Sequence, residues 1–216
     1  MAQIYVVGHK NPDNDSIMAA YTYANLKNMT DADNEYIPVR LGELPAESAM
    51  IFEEYGIDAP ALIEQVGEGD VLALVDHNEM GQAVDGIEDA EVAEIIDHHR
   101  IADVSTSAPI TFINLPWGST TSIITKLYEY FGIAPDKQIA ACLLSAILTD
   151  TVILKSPTAT EVDAKHVEKL AQILGVDPVE FGMKIFKSRG GDDDVSIEDI
   201  SVSYTHLRAH ETTLHL

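Results

Sequence analysis

The sequence contains very little cysteine, since Cys142 is the only one among 216 residues. A single cysteine cannot form a disulfide within the chain, which is typical of proteins from a reducing compartment. The first residues also lack the basic segment and apolar run that together mark a secretory signal peptide. These two absences predict a cytoplasmic protein. Cys142 lies in an apolar helical pattern, where we expect it to serve packing.

Basic residues and long apolar runs are scarce as well. Thirteen Lys and Arg face 36 Asp and Glu, and the formal net charge is −23. So acidic a chain repels the phosphates of nucleic acids and the surface of acidic lipids. No apolar run reaches the roughly 18 residues that a membrane span requires. The composition therefore predicts neither a nucleic-acid partner nor a membrane partner, whereas carboxylates do attract divalent cations.

Hydrophobic residues make up 46% of the chain, which is enough for a substantial core. Short apolar runs typical of strands alternate with helix-like segments through the first 190 residues. Strands are predicted at 4–7, 36–39, 71–75, 92–96 and 110–113, and helices at 16–29, 46–55, 119–131, 136–148, 160–174 and from 177 or 178 to 187. This alternation predicts an α/β fold with a mainly parallel, open sheet flanked by helices.

The end of the chain differs from the rest in composition. Residues 190–194 (GGDDD) form an acidic, glycine-rich patch, and residues 201–216 (SVSYTHLRAHETTLHL) hold three of the eight histidines. His206 and His210 are four residues apart, but their order is not that of a zinc helix, and no third ligand is implied. The last stretch resembles an out-of-frame translation joined to a shortened coding region. We expect a domain over residues 1–188, the start of an interdomain linker at 189–200 and a non-native tail at 201–216.

Four stretches carry candidate ligands or catalytic groups, and each follows an apolar run. They are GHKNPDNDS at 8–16, VDHNE at 75–79, IIDHHR at 95–100 and ILTDT at 147–151. Three of them place Asp or His at the end of a predicted strand. Ligands bind beyond the carboxyl ends of strands in an open parallel sheet, so residues distant in sequence should meet at one edge.

The first two stretches are ambiguous when each is taken alone. His9, Asp13 and Asp15 could face an ion from a loop between strand and helix. The same loop could instead be an Asx-rich turn before a helix capped by Ser16, and for this stretch alone the turn is the better interpretation. Asp76 could be a ligand or a helix cap, and the two interpretations are balanced.

The third and fourth stretches are more specific. Adjacent His98 and His99 at a strand end are hard to explain as core residues. Neighbouring side chains point in different directions, so one could bind an ion while the other contacts a substrate or donates a proton. Asp97 could orient one of these histidines. Asp150 lies in an apolar context, where a cation would offset the cost of a buried carboxylate; a partly exposed turn aspartate is the alternative.

Taken together, the four stretches supply two histidines and four aspartates as ligands. Mixed nitrogen and oxygen ligation suits Mn²⁺ and also accepts Co²⁺, Zn²⁺ or Mg²⁺. Six side chains are too many for one ion, so we expect two ions that share a carboxylate. Two metals about 3.5–4 Å apart can hold a hydroxide and a phosphate for in-line hydrolysis.

These motifs resemble those of the manganese-dependent (family II) inorganic pyrophosphatases of the DHH phosphoesterase superfamily. The resemblance rests on H-x-x-x-D-x-D at 9–15, D-H-N-E at 76–79, D-H-H-R at 97–100 and the aspartate of S-A-I-L-T-D at 145–150. K-S-P-T at 155–158 and L-G-V-D-P-V-E-F-G at 174–182 extend it, so that it runs collinearly over about residues 1–188. It implies a DHH-type, Rossmann-like fold.

The resemblance also implies a role for each candidate residue. Two groups would each hold one manganese ion: His9, Asp13 and Asp76 the first, and Asp15, Asp76, His98 and Asp150 the second. The catalytic residues would be Asp76, which bridges the ions, and His99, which lies on the substrate side. A hydroxide held between the metals would attack pyrophosphate and release two phosphates. Family members pair through this domain, which implies a homodimer.

The sequence departs from the family's pattern in one respect. Members carry a second, C-terminal domain whose Ser-Arg-Lys-Lys motif binds the diphosphate, and this motif occurs nowhere in the chain. Without those cations, about four substrate charges would meet an acidic half-site, so we expect weak or no turnover by this chain. The alternatives are another DHH phosphoesterase (an oligoribonuclease or a cyclic-dinucleotide phosphodiesterase) and a non-catalytic metal-binding or dimerising module.

Overall fold

Six parallel strands form one sheet in the computed structural model, which describes residues 2–190 of the chain. The strands are β1 (Ala2–Val7), β2 (Asn34–Arg40), β3 (Ala61–Leu62), β4 (Val71–Val75), β5 (Glu91–Asp97) and β6 (Thr111–Asn114). They lie in the order β3-β2-β1-β4-β5-β6, and every neighbouring pair is parallel. The direction of the order reverses between β1 and β4, and such a switch point opens a crevice beyond the carboxyl ends of the strands.

Six α-helices accompany the sheet within the described residues. They are α1 (Asn14–Thr30), α2 (Ala46–Tyr55), α3 (Thr120–Tyr130), α4 (Lys137–Asp150), α5 (Glu161–Leu174) and α6 (Pro178–Ser188), with two short 3₁₀ turns at Met80–Gln82 and Ile87–Asp89. The predicted α/β fold with a mainly parallel, Rossmann-like sheet is therefore confirmed. None of the helices within residues 2–190 combines the length and the apolar character that a membrane crossing requires.

The two faces of the sheet pack against cores of different size. The larger core gathers side chains from the helices, and α4 lies within it so deeply that residues 139–150 are all buried, Cys142 among them. The smaller core lies on the other face and contains Val7, Leu74 and Ile95. A helix that is apolar all round is stable only inside a core. Asp150, the last residue of α4, consequently lies in the protein interior.

Three local details differ from the sequence-based expectation. The cap of α1 is Asp13, whose carboxylate accepts a hydrogen bond from Ser16 N at 3.0 Å, while the Ser16 hydroxyl accepts one from His9 N at 3.0 Å. Both residue types cap helices, and the earlier one starts the helix here. Helix α4 continues past residue 148 to Asp150. The strand β3 was not predicted, because two residues are too few to show a periodic pattern.

The last described helix ends at Ser188, and the structure describes two further residues. The linker predicted at 189–200 lies outside the described residues from 191 onward. The predicted non-native tail at 201–216 lies wholly outside them.

Candidate metal centre

The carboxyl ends of three neighbouring strands bring the predicted site residues together. The chain leaves β1 just before His9 and leaves β4 just before Asp76, and His98 directly follows β5. All six predicted ligands occur in three overlapping groups. Within each group, the ligand atoms lie within 4.8 Å of one another. These groups are His9, Asp13 and Asp76; Asp15, His98 and Asp150; and Asp76, His98 and His99.

Asp76 occupies the middle of this arrangement. Its carboxylate is 2% exposed, with Oδ2 at 3.6 Å from His9 Nε2 and Oδ1 at 3.4 Å from His98 Nε2. The two oxygens therefore face two different histidines. The backbone at Asp76 has a φ of 62°, which is a left-handed conformation. Residues other than glycine rarely adopt it, although Asp and Asn do so more often than most. Strained backbone of this kind clusters at functional sites.

His9 presents one ring nitrogen to two carboxylates. Its Nδ1–H donates a hydrogen bond to the Lys10 carbonyl at 2.8 Å, so Nε2 is left facing Asp13 at 3.7 Å and Asp76 at 3.6 Å. Burial disfavours the charged ring, but the hydrogen bonds and charges of the two aspartates outweigh it and raise the pKa of His9 well above its usual value. Without a metal, these contacts favour the protonated ring of His9.

His98 is fixed from the opposite side. Its Nδ1–H donates to the Trp117 carbonyl at 3.0 Å, and Nε2 lies 3.4 Å from both Asp76 Oδ1 and Asp150 Oδ2. This Nε2 atom is buried and has no hydrogen-bond partner. A histidine whose one nitrogen is held by a carbonyl and whose other faces carboxylates is arranged as metal ligands are.

Asp15, in the first turn of α1, is almost completely buried, and its carboxylate contacts the first residues of α3. Its Oδ2 accepts a hydrogen bond from Thr120 N at 2.7 Å, and its Oδ1 accepts from Thr121 N at 3.2 Å and from the Thr121 hydroxyl at 2.7 Å. Burial and the charges of Asp76, Asp150 and Asp13 raise the pKa of Asp15 well above its usual value. A cation beside Asp15 would relieve this repulsion.

His99 differs from its neighbour in exposure and in partner. Its side chain is 44% exposed, against 5% for His98, and its Nδ1–H donates to Asp97 Oδ1 at 2.9 Å. Burial opposes the charge on His99, but Asp97 together with Asp76 and Asp150 raises its pKa to about 9. In return, although burial would raise it, the pKa of Asp97 falls to about 2, chiefly through His99 and Asn78. His99 is thus an oriented histidine that faces outward.

Two groups of contacts at the site were not predicted from the sequence. The turn before α3 supplies the Trp117 carbonyl to His98. The first two residues of α3, Thr120 and Thr121, donate to Asp15, and the Thr120 hydroxyl also donates to Asp76 Oδ1 at 2.8 Å. Asn78 donates from its side chain to Asp97 and to the Arg100 carbonyl, the latter at 3.0 Å. The hydroxyl-rich run G-S-T-T-S at 118–122 is the only signal in the sequence that could have indicated the first group.

Comparisons with known proteins identify the family of the chain. Residues 3–147 match the sequence model of the DHH family, N-terminal domain. A manganese-dependent inorganic pyrophosphatase of Methanothrix thermoacetophila is 46% identical over 197 residues, which cover 91% of this chain and 63% of that protein. The chain thus spans less than two thirds of the length of this relative.

The fold of the chain is similar to that of solved structures. A Methanococcus jannaschii protein assigned to the family II inorganic pyrophosphatases superimposes with a TM-score of 0.78 at 38% identity, covering 86% of this chain and 60% of that one. An exopolyphosphatase-related protein of Bacteroides fragilis reaches a TM-score of 0.64 at 19% identity over 86% of this chain and 56% of its own. The second likeness concerns the fold alone.

Proposed function

Because the chain belongs to the DHH family, we propose that it forms the metal-binding part of an inorganic pyrophosphatase, which hydrolyses pyrophosphate to two phosphates at a pair of Mn²⁺ ions. The observation that carries the proposal is the position of Asp76, whose two oxygens face His9 and His98 separately. A carboxylate in this position can bridge two cations. The name of the Methanothrix relative supports both the metal and the substrate.

The side chains present fit two cations. The first would be held by His9, Asp13 and Asp76, and the second by Asp15, Asp76, His98 and Asp150. The unpartnered, buried Nε2 of His98 and the mutual repulsion that raises the pKa of Asp15 are both relieved by a cation. Imidazole and carboxylate donors without thiolates suit Mn²⁺, and Co²⁺ or Mg²⁺ would bind the same set with different affinity.

The two ions and the residues around them would have different roles in the reaction. Bound at this site, two divalent ions would supply a water of lowered pKa and positive charge against the phosphate oxygens. His99 is held by Asp97 with its ring partly exposed, so it can donate a hydrogen bond or a proton to a phosphate oxygen at the mouth of the site. Asp76 and the other proposed aspartate ligands would hold the two ions.

We further propose that the 216-residue chain alone turns over slowly. Pyrophosphate carries about four negative charges, which need positive groups as charge builds up in the transition state. Lys10, the residue after His9, is paired with Asp85 at 2.5 Å. The longer relatives have about a third of their length outside the matched region, where further cations can lie.

The test compares two proteins, each loaded with Mn²⁺. One is the 216-residue chain, and the other is residues 1–188 followed by the part of the Methanothrix relative that lies C-terminal to its counterpart of residue 188. We expect the extended protein to release phosphate from pyrophosphate and the chain alone to do so at least ~100-fold more slowly, the cost of losing one strong transition-state donor. Fast turnover by the chain alone would contradict the second proposal.

The same assay separates the alternative functions. Release of nucleotides from a short oligonucleotide or a cyclic dinucleotide, without phosphate from pyrophosphate, would identify another DHH phosphoesterase. Mn²⁺ binding without turnover even in the extended protein would identify a non-catalytic metal-binding module. Asp76→Asn in the extended protein is the control, since activity that survives it does not come from this site.

The expectations on partners and location also remain proposals. We propose a homodimer, and the outer strand β6, on which Phe112 is 40% exposed, offers an edge at which a second copy could pair. Sedimentation equilibrium of the chain would measure its mass, and a monomer at all concentrations would contradict this proposal. We propose a cytoplasmic location and no nucleic-acid partner, and only the sequence supports these two proposals.

A further inference from the structure

The turn at residues 117–121 contacts three of the proposed metal ligands at once. The Trp117 carbonyl accepts a hydrogen bond from His98 Nδ1 at 3.0 Å. The Thr120 amide donates to Asp15 Oδ2 at 2.7 Å, and the Thr120 hydroxyl donates to Asp76 Oδ1 at 2.8 Å. Thr120 is fully buried, and it alone in the turn contacts both Asp15 and the central Asp76 through the described hydrogen bonds.

The turn is held in place from behind by α5. Asp163, itself fully buried, accepts a hydrogen bond from Gly118 N at 3.0 Å and one from the Ser122 hydroxyl at 2.5 Å. A side chain at Gly118 would come within 2.5 Å of Thr151 Cγ2 and 2.7 Å of Asp163 Oδ2, so only glycine fits there. The backbone that carries Thr120 is therefore fixed, and its hydroxyl has a defined position.

The contact between Thr120 and Asp76 is compatible with a bridging role for the carboxylate. Each carboxylate oxygen has two lone pairs, so Oδ1 can accept the Thr120 hydrogen bond and still face a cation on the His98 side. The hydrogen bond limits rotation of the carboxylate. With that rotation fixed, Oδ2 stays directed toward His9 while Oδ1 stays directed toward His98.

We propose that Thr120 is a positioning residue for the metal pair, whose hydroxyl sets the orientation in which Asp76 bridges the two ions. This inference rests on the proposed function, because it presupposes that Asp76 bridges metals. Thr120 touches neither ion nor substrate in this scheme and acts through Asp76. Groups that orient metal ligands in this way typically contribute 10–100-fold to metal affinity.

The test replaces Thr120 with valine, which has the same shape and retains the backbone amide to Asp15 but lacks the hydroxyl. Thr125→Val is the matched control, because Thr125 is also buried in α3 and donates its hydroxyl only to the Thr121 carbonyl, at 2.8 Å. Thr120→Ser restores a hydroxyl. The full 216-residue chain is titrated with MnCl₂, and electron paramagnetic resonance measures free Mn²⁺ and the exchange coupling between bound ions.

We expect Thr120→Val to bind Mn²⁺ about 10–100-fold more weakly and to lose the coupled signal at concentrations that saturate the unmodified chain. Thr120→Ser should recover most of the affinity, and Thr125→Val should match the unmodified chain. A purely structural role would lower the melting temperature of the metal-free protein and leave the affinity unchanged. If Thr120→Val does not fold, Thr120→Ala serves in the same comparison.

The outcomes separate this inference from the proposed function. If the unmodified chain binds a coupled pair of ions and Thr120→Val binds them equally well, the positioning role is wrong and the metal centre stands. If the unmodified chain binds no coupled pair, the proposed metal centre is wrong, and the inference falls with it.

Discussion

Asp97 Oδ1 accepts a hydrogen bond from Nδ1 of His99 at 2.9 Å, and the same oxygen accepts the backbone N–H groups of His98 and His99 at 2.7 and 3.1 Å. One buried carboxylate thus fixes both the backbone and the ring of the outward-facing histidine. A histidine held in this way keeps its Nδ1 protonated, so its other nitrogen is the one available at the mouth of the site.

Replacing Asp97 with asparagine should lower the pKa of His99 from about 9 toward the usual value of about 6.5. The carboxylate raises the pKa through its hydrogen bond and its charge, and the neutral amide loses the charge. A proton NMR titration of His99 in the metal-free chain measures the shift. Asp103→Asn is the control, because Asp103 accepts the backbone N–H of Met80 at an exposed position. An unchanged pKa of His99 in Asp97→Asn would contradict this reading of the pair.

Replacing Asp13 with asparagine should weaken Mn²⁺ binding while the start of α1 stays capped. Asparagine caps a helix about as well as aspartate, so any loss in the free energy of unfolding of the metal-free chain should come from the lost contact between Asp13 and His9. As a proposed direct ligand, Asp13 should contribute at least the ~10-fold in affinity that supporting residues do. Urea unfolding and Mn²⁺ titration measure the two quantities.

The chain contains a matched control for this substitution. Asp177 caps α6 through the N–H groups of Val179 and Glu180, both at 2.9 Å, and it belongs to none of the candidate ligand groups. Asp177→Asn makes the same chemical change at another helix start, so it should leave Mn²⁺ affinity unaltered. Equal loss of affinity in both variants would point to overall charge rather than to ligation by Asp13.

Mn²⁺ affinity should rise with pH, and binding should release a proton. Burial lowers the pKa of His9, but the contacts with Asp13 and Asp76 outweigh it and raise the pKa well above its usual value, which favours the charged ring. A metal binds only the neutral ring, and the proton must therefore leave. As the pH approaches the raised pKa of His9, less work is needed to remove this proton and binding tightens.

Titration calorimetry in two buffers of different ionisation enthalpy measures the number of protons released. The difference in observed enthalpy should shrink in His9→Gln, which has no proton to lose. His166→Gln is the control, because the ring of His166 packs near Trp117 and its pKa is lowered by burial. Binding enthalpies that do not depend on the buffer would show that His9 is already neutral in the metal-free chain.

The sequence predicted the site residues that lie in short motifs. His9, Asp76 and His98 each follow a strand, and strand ends in a parallel sheet converge whatever the rest of the chain does. The support from the start of α3 could not be predicted, because Thr120 and Asp15 are 105 residues apart and a sequence does not show which backbone N–H groups donate to a side chain. The cap of α1 was misplaced from Asp13 to Ser16 because both residues are good caps and only the backbone decides between them.

The residues after Asp150 show a second feature that sequence did not predict. Val152, Ile153 and Leu154 have φ values of 50°, 53° and 62°, so three bulky residues in succession adopt the left-handed conformation. Hydrogen bonds from Ile153 N to Leu148 O at 2.8 Å and from Val152 N to Thr149 O at 3.3 Å close the end of α4 in the pattern that usually has glycine at this place. The C-terminal end of α4, where Asp150 lies, is thus fixed by a strained turn.

At Leu154, glycine should be more stable than alanine, which reverses the usual order within a helix. A side chain in the left-handed region costs about 1–2 kcal/mol, and glycine does not pay this cost. Both variants lose the leucine side chain beyond Cβ, so the difference between their free energies of unfolding reports the backbone conformation together with the single methyl group of alanine. We expect Leu154→Gly to exceed Leu154→Ala by about 1 kcal/mol in urea unfolding. Ala146→Gly within α4 is the control and should be destabilising, by about 1 kcal/mol or more. If alanine is the more stable residue at position 154, the left-handed turn is not present in the folded chain.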